Sequence, residues 1–255
     1  MPISEKKVST RSSFFRGAAD RIGRTEFGLR MLKVLSKNKT LQRMTIGGPN
    51  PIHLWEDDVI FQELISKIRP FTLLTEEALF TIYQTANGVR GVTGDVAEVG
   101  VYQGGTAWLL GSIFRDSDRN VLLFDTFEGM PDSADSTHDL HKEGDFSDTS
   151  LAAVTKLLSS WPNATPVAGF FPATAAPFTQ RQFVFAHIDV DIYQSVLDCC
   201  DFFYPRLVYG GVLVFDDYGQ RSCPGAKQAV DEFFSSRPET PFYLRTGQCV
   251  VWKLA

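Results

Sequence analysis

The chain has 255 residues, of which 44% are hydrophobic and 22% are charged, and its formal net charge is −5. This length suits one large α/β domain, or a medium domain with an appendage. The acidic balance argues against a nucleic-acid binder, and no apolar run is long enough to predict a transmembrane helix or a secretory signal. The four cysteines form no CxxC pair, so we expect reduced thiols and a cytoplasmic protein.

Positive charge is concentrated near the N-terminus, where residues 1–44 hold eleven Lys or Arg and three Asp or Glu. Such a segment can approach an anionic membrane or polymer, and its composition is also compatible with an organelle transit peptide. We favour a third interpretation, a basic, solvated and partly helical extension over residues 1–60. Residues 61–93 show helical spacing of apolar residues, with Thr75 as an N-cap, and we predict a helical cap there.

From residue 94 onward, short apolar runs alternate with longer helical segments. Buried strands that alternate with helices indicate a parallel sheet that is covered on both faces. Near the C-terminus, PFYLRT and CVVWKL are separated only by Gly-Gln, so these two strands must be antiparallel. We therefore predict an α/β domain over residues 94–255 whose sheet is mostly parallel, with one reversed strand near an edge.

The first predicted strand runs into EVGVYQGGTAWLL, where Gly100, Gly104 and Gly105 lie between a strand and a helix. A glycine-rich turn lets a ligand approach the backbone, but this spacing is not the G-x-G-x-x-G dinucleotide fingerprint. We expect Glu98 inside the turn, where it would bind an amine and repel a pyrophosphate. Asp125 ends the second strand, where an acid either caps the next helix or binds ribose hydroxyls, and we favour ribose. A ligand with a ribose and an amine but no phosphate suggests S-adenosylmethionine.

Two later strands end in paired acids, Asp189 and Asp191 in HIDVD and Asp216 and Asp217 in VFDD. Residues two apart on a strand share one face, and ligands bind beyond the carboxyl ends of the strands in an open α/β sheet. Up to four carboxylates are therefore expected to converge. Such a cluster raises its own pKa values unless a cation compensates it, and oxygen ligands favour Mg²⁺, Mn²⁺ or Ca²⁺ over zinc.

Three of the four histidines lie near these segments. His187 shares the expected strand face of the paired acids, although a lone histidine on a strand is more often a satisfied polar group. His138 and His141 lie in a long polar loop that can contact a substrate, but we expect both to be exposed at the surface. The sequence contains no GxSxG nucleophile motif and no P-loop, which argues against an ordinary hydrolase or NTPase.

Five segments follow one another along the chain: FTLLTEEALFTIY, GDVAEVGVYQGGTAWLL, FDTFEGMP, HIDVDIYQS and GGVLVFDDYG. Together they resemble the TylF/MycF family of macrocin O-methyltransferases and relatives, which methylate sugar hydroxyls on antibiotics. The resemblance extends from about Phe71 to the C-terminus. It implies a class I (Rossmann-like) methyltransferase fold, S-adenosylmethionine as methyl donor, and Mg²⁺ or Mn²⁺ as the metal. It further implies a small-molecule or glycan hydroxyl as acceptor, and we also expect a homo-oligomer.

The resemblance also implies roles for individual residues. Asp189, Asp216 and Asp217 would be the metal ligands, and Asp191 would be the general base that removes the proton of the acceptor hydroxyl. The cofactor would contact Thr72, Glu98, Val99, Gly100, Val101, Tyr102, Gly104, Thr106, Asp125, Thr126, Phe127, Glu128, Gly129, Phe170 and Phe171. The loop from Pro131 to Ser147 departs from the family, and a Phe replaces the family's Trp in the GFFPAT segment.

Three alternatives stay open at this point. A glycosyltransferase would use DVD as a DxD motif for a metal-bound nucleotide sugar, but this leaves Glu98 and the second acid pair unexplained. A non-catalytic S-adenosylmethionine-binding module would keep the fold, although the presence of all four acids argues against it. A methyltransferase for catechol-like acceptors would use the same cation chemistry on vicinal hydroxyls. We predict metal-dependent methyl transfer to a sugar hydroxyl.

Overall fold

The structure of the protein, a computed structural model, describes residues 53–131 and 139–254. The predicted basic extension lies almost entirely outside these residues, as does His138. Leu54–Ala255 forms one compact unit. None of the helices among the described residues is long and apolar enough to cross a membrane.

From residue 53 onward, three α-helices precede the sheet: α1 Leu54–Asp57, α2 Val59–Ile68 and α3 Glu76–Gly88. The boundary that we placed between residues 60 and 61 falls inside α2, and α1 lies within the segment that we predict to be the basic extension. α3 begins as predicted, because the Thr75 side chain accepts a hydrogen bond from the Ala78 N–H. Helices α2 and α3 both pack against the first helix of the sheet domain, α4 Gly105–Ile113.

The remaining elements alternate as the sequence predicts. The strands are β1 Asp95–Val99, β2 Val121–Asp125, β3 Ala164–Ala168, β4 Phe183–Ile188, β5 Leu207–Phe215, β6 Phe242–Tyr243 and β7 Cys249–Trp252. The later helices are α5 Leu151–Leu157, α6 Tyr193–Phe203 and α7 Pro224–Phe234. In the described residues, the strands form one sheet in the order β3-β2-β1-β4-β5-β7-β6.

The sheet confirms the predicted mostly parallel α/β fold. β1 to β5 pair in parallel, whereas β7 runs antiparallel to both of its neighbours, β5 and β6. Alternate residues of a strand enter different cores, so Val96 packs with α2, α3 and α4, while Ala97 packs with α6 and α7. Burial on both faces explains why these strands read as continuous apolar runs.

Strand order determines where a ligand can bind. From β1 the chain proceeds to β2 and β3 on one side and then returns to β4 on the other side. The loops after β1 and β4 therefore diverge at the carboxyl edge and leave a crevice between them, which is the usual ligand position in an open α/β sheet.

Candidate active site

A cavity of about 350 Å³ lies at this carboxyl edge. Its size falls in the range of ~300–1,000 Å³ that is typical of small-molecule sites. Most of the residues predicted from the sequence line it. They are Thr72, Glu98, Val99, Gly100, Val101, Tyr102, Thr106, Asp125, Thr126, Gly129, Phe170, Phe171, Asp189, Asp191, Asp216 and Asp217. The structure thus brings the expected cofactor and metal residues to one cavity.

Three predicted cofactor residues do not line the cavity. Gly104 has φ +90°, and a Cβ there would meet Val154 and Leu157 at 3.2 and 3.3 Å, so its place allows α5 to pack closely. Phe127 is buried in a hydrophobic core, and Glu128 is exposed. The cofactor contacts expected of these three positions stay predictions.

The turn after β1 touches the end of β4 directly. Gly100 has φ +85°, and a Cβ at this position would lie 1.7 Å from the carbonyl oxygen of Asp189. The Asp189 N–H in turn donates to the carbonyl of Val99 at 2.9 Å. Glycine is required at this position because any side chain would collide with the neighbouring backbone.

Asp125 stabilises two turns of the cavity wall. Its Oδ2 accepts the N–H groups of Val101 at 2.6 Å and Tyr102 at 2.9 Å, and its Oδ1 accepts that of Phe127 at 2.6 Å. Tyr102 and Phe127 have φ +50° and +56°, a region that residues other than glycine seldom adopt. Charge-assisted hydrogen bonds compensate for that strain. The ribose contact expected of Asp125 stays a prediction.

Glu98 lies within β1, so the expectation that it belongs to the glycine turn is wrong. Its side chain is buried, and its Oε1 lies 2.9 Å from Nδ1 of His187 on β4. Its Oε2 is buried without a hydrogen-bond partner, although Glu98 lines the cavity. Burial raises the pKa of Glu98, while the contact with His187 acts in the opposite direction.

His187 connects Glu98 to one of the paired acids. Its Nε2 lies 3.7 Å from Oδ1 of Asp216, which is an ion-pair distance rather than a hydrogen bond. Burial alone would lower the pKa of His187, but the carboxylates of Asp216 and Glu98 outweigh it and raise the pKa well above its ordinary value. Gln248 also donates to Asp216 Oδ1, at 2.8 Å, and to the carbonyl of Ala78 at 3.3 Å. Glu98 and Asp216 therefore lie on opposite sides of His187, and the raised pKa favours the charged form of this histidine.

The other three acids form a separate cluster. Asp189, Asp191 and Asp217 each offer a carboxylate oxygen, and these oxygens lie within 4.8 Å of one another. Desolvation is the main cause that raises the pKa of all three, and the charge of Asp216 raises each of them further. A donor set made only of oxygens suits a hard divalent cation.

A turn, and not the strand, brings Asp191 to this cluster. β4 ends at Ile188, so the two-residue alternation that we assumed does not extend to Asp191. Asp191 has φ +60°, and its N–H donates to Oδ2 of Asp217 at 3.0 Å. The structure thus places Asp189 and Asp191 together as expected, for a reason different from the one we gave.

Two further residues contact Asp191, and the sequence did not assign either of them. The Cys223 thiol donates to Asp191 Oδ1 at 3.2 Å, and His141 Nε2 lies 3.6 Å from the same oxygen. The expectation that His141 is exposed is wrong, because its side chain is only 19% exposed and lines the cavity. No local motif links these residues, which come from three separate segments.

The strand order, the glycine turn after β1 and the acid at the end of β2 define a class of protein. They are the features of a class I S-adenosylmethionine-dependent methyltransferase. A family model described as Macrocin-O-methyltransferase (TylF) matches residues 72–253. The chain belongs to this family, and it is an O-methyltransferase.

Individual relatives agree with the family assignment. The chain is 31% identical over 179 residues to demethyldecarbamoylnovobiocin O-methyltransferase of Streptomyces niveus, which covers 64% of this chain and 67% of that protein. It is 32% identical over 160 residues to mycinamicin III 3''-O-methyltransferase of Micromonospora griseorubida. This match covers 56% of this chain and 61% of that protein. The solved structure of the O-methyltransferase NovP superposes with a TM-score of 0.66 at 26% identity, over 72% of this chain and 83% of that one.

Proposed function

We propose that the protein transfers a methyl group from S-adenosylmethionine to a hydroxyl of a sugar or glycosylated small molecule, with Mg²⁺ or Mn²⁺ as an essential metal. The observation that carries the proposal is the cluster of Asp189, Asp191 and Asp217 in the same cavity as the glycine turn. The names of the relatives support the acceptor class, since both are O-methyltransferases of glycosylated antibiotics or their precursors.

The cofactor half of the cavity fits S-adenosylmethionine. The buried Oε2 of Glu98 needs a donor, and the amine of this cofactor is one. The glycine turn after β1 lines this half of the cavity, and so does Thr72 from the segment before α3. Phe170 and Phe171 contribute aromatic lining, which the family resemblance assigns to the adenine. When bound, the cofactor supplies the methyl group on a positively charged sulfur.

The acid half of the cavity fits a divalent cation. Asp189 and Asp217 would hold it, as the family resemblance implies, and Asp216 lines the same cavity next to them. The three acids of the cluster have raised pKa values, so each carries a desolvation cost that a cation would offset. When bound, a divalent cation lowers the pKa of a hydroxyl that coordinates it.

Asp191 would hold the proton that leaves the acceptor hydroxyl. A sugar hydroxyl is a weak nucleophile, so a base beside it has to accept its proton as the methyl group arrives. The pKa of Asp191 is raised, mainly by desolvation, which makes it a stronger base than an ordinary aspartate. Its backbone N–H is fixed by Asp217, so the base and the adjacent acid move together.

An acceptor screen with methyl-labelled S-adenosylmethionine tests the proposal. Sugars, glycosides, aglycones and catechols are compared with and without EDTA. We expect transfer of the methyl label to a sugar or glycoside. EDTA should abolish this transfer, and added Mg²⁺ should restore it. Transfer that EDTA leaves unchanged would overturn the metal requirement, and transfer confined to catechols would favour the vicinal-diol acceptor. Calorimetric binding of a nucleotide sugar but not of S-adenosylmethionine would instead support a glycosyltransferase.

A further inference from the structure

We propose that His141, Cys223 and Asp191 form a second cation site, selective for a thiophilic transition metal such as Zn²⁺, and that its occupation stops methyl transfer. The site shares Asp191 with the cluster of acids, but its other two donors are nitrogen and sulfur. The inhibitory part rests on the proposed function, because it requires Asp191 to be the base. The metal-binding part stands on geometry alone.

The separations of the three donor atoms are close to those around a tetrahedral zinc ion. The Cys223 sulfur lies 3.6 Å from His141 Nε2 and 3.2 Å from Asp191 Oδ1, and Nε2 lies 3.6 Å from that oxygen. Zinc bonds of ~2.0–2.3 Å at a tetrahedral angle place sulfur ~3.5 Å from a nitrogen or oxygen ligand, and nitrogen ~3.3 Å from oxygen. Each side of the triangle is therefore within about 0.3 Å of one face of a zinc tetrahedron, with the fourth position open.

The histidine is oriented as metal-binding histidines usually are. Nδ1 of His141 lies 3.3 Å from Oδ2 of Asp145, so it is placed to donate its proton there and leave Nε2 free as a ligand. A carboxylate behind the imidazole is the common outer partner of a zinc histidine. The Lys142 N–H donates to the same Asp145 oxygen at 3.0 Å, and the imidazole ring packs against Phe146. The ring is therefore held on two sides.

The other two donors are also fixed by their surroundings. Cys223 is buried immediately before α7, and its N–H donates to the carbonyl of Gln220 at 3.2 Å. Asp191 is held through its N–H by Asp217. A site whose ligands are already close together needs little rearrangement on metal binding, so less of the binding free energy is lost to ordering.

The two overlapping sites differ in the metal that they select. Sulfur and imidazole favour zinc, cobalt or copper, whereas Mg²⁺ prefers oxygen. Binding converts the Cys223 thiol to a metal-bound thiolate, and one proton passes to solvent. The Asp191 oxygen then coordinates the metal with the lone pair that would otherwise accept the proton of the acceptor hydroxyl. A transition metal in this site would thus remove the base while Asp189 and Asp217 keep their places.

Cobalt(II) binding to the full-length protein tests the site without reference to turnover. The protein is titrated with Co²⁺ in excess Mg²⁺, and absorbance records the thiolate-to-cobalt charge-transfer band. We expect one Co²⁺ per chain with this band, and its loss in Cys223→Ser. Asp145→Asn should weaken binding by ~10–100-fold, as outer partners of metal ligands do. Cys199→Ala, which changes a thiol buried on α6, is the control and should keep the band.

Absence of the band in the wild type, or its persistence in Cys223→Ser, overturns the site. Inhibition is measured separately, by titrating Mg²⁺-dependent methyl transfer with Zn²⁺. The Zn²⁺ concentration that gives half inhibition should rise at least ~10-fold in Asp145→Asn. A cobalt band in a protein without methyl transfer would reject the proposed function and keep the site. Methyl transfer by a protein without the cobalt band would reject the site and keep the proposed function.

Discussion

Two adjacent regions of the cavity bury acidic side chains in opposite ways. Glu98 and Asp216 have His187 between them, a residue whose raised pKa favours its positively charged form. Asp189 and Asp217 form no ion pair with a lysine or arginine anywhere in residues 53–131 and 139–254. In the first region, a histidine of the chain compensates the negative charge of the acids. In the second region, we expect a bound cation to do so.

The two regions differ in whether the acids have a charged partner within the chain. A buried carboxylate with an internal partner contributes to folding, because removing either partner leaves an unpaired charge in the interior. A buried carboxylate without one opposes folding until a ligand arrives, and this cost is what makes a cation site selective and tight. Variants in the two regions should therefore differ in kind. A Glu98 variant should lose stability as well as cofactor affinity, whereas variants of the cation cluster should lose activity without losing stability.

The largest expected effect is on the base. Asp191→Asn keeps the shape of the side chain but removes its ability to accept a proton, so methyl transfer should slow by about 10²–10⁴-fold. Single-turnover rates with labelled cofactor measure this, and calorimetry should show cofactor affinity within a few-fold of the wild type. Asp201→Asn, at an exposed position on α6, is the matched control and should be fully active.

The second effect concerns the compensated region. Glu98→Gln removes the partner of a buried imidazolium, so the free energy of unfolding should fall by ~3 kcal/mol. Urea denaturation followed by circular dichroism measures the change. The double variant with His187→Gln should recover part of the loss, because it removes the unpaired charge as well. Equal stability of the single variant and the wild type would contradict an ion pair between Glu98 and His187.

A third prediction tests whether Asp216 contributes to the cation site despite its internal partners. Gln248→Leu removes the donor to Asp216, and the Mg²⁺ concentration for half-maximal activity should rise by ~10-fold, as when an outer partner is lost. The maximal rate at saturating Mg²⁺ should change little. Gln228→Leu, on the partly exposed side of α7, is the control. No change in either variant would place Asp216 outside the cation site.

The smallest effect concerns thermal stability without metal. The pKa of Asp189 is raised in the folded state, so the folded state binds more protons than the unfolded one, and stability falls as pH rises from ~4 through the folded pKa. Asp189→Asn should therefore melt a few degrees above the wild type in EDTA at neutral pH, at ~2–4 °C per kcal/mol. The difference in melting temperature between the variant and the wild type should shrink toward pH 4. In Mg²⁺ the wild type should melt at the higher temperature.

The sequence is sufficient for most of the fold, for a physical reason. Strands buried on both faces must be apolar throughout, so β1 to β5 appear in the sequence as continuous apolar runs. The short Gly-Gln connection forces β7 to run antiparallel to β6. The carboxyl ends of parallel strands meet by geometry, so the convergence of acids from β4 and β5 was also predictable.

The contacts that arise from loops were not predictable in the same way. His141 reaches Asp191 from a polar loop without periodicity, and Cys223 reaches it from the start of α7. Gln248 lies in the turn that the sequence revealed, but its contact with Asp216 depends on how the sheet edge packs against α3. Such contacts are long-range packing outcomes, and residue type alone does not encode them.

The contact between Gly100 and Asp189 has a consequence for how the reaction is aligned. Only peptide groups separate the donor side of the cavity from the acid side there, and peptide groups do not change rotamer as side chains do. The distance between the glycine turn and Asp189 is thus set by the spacing of β1 and β4, a property of the sheet. A side chain at residue 100 would change that spacing, and even Gly100→Ala is expected to misalign both partners at once.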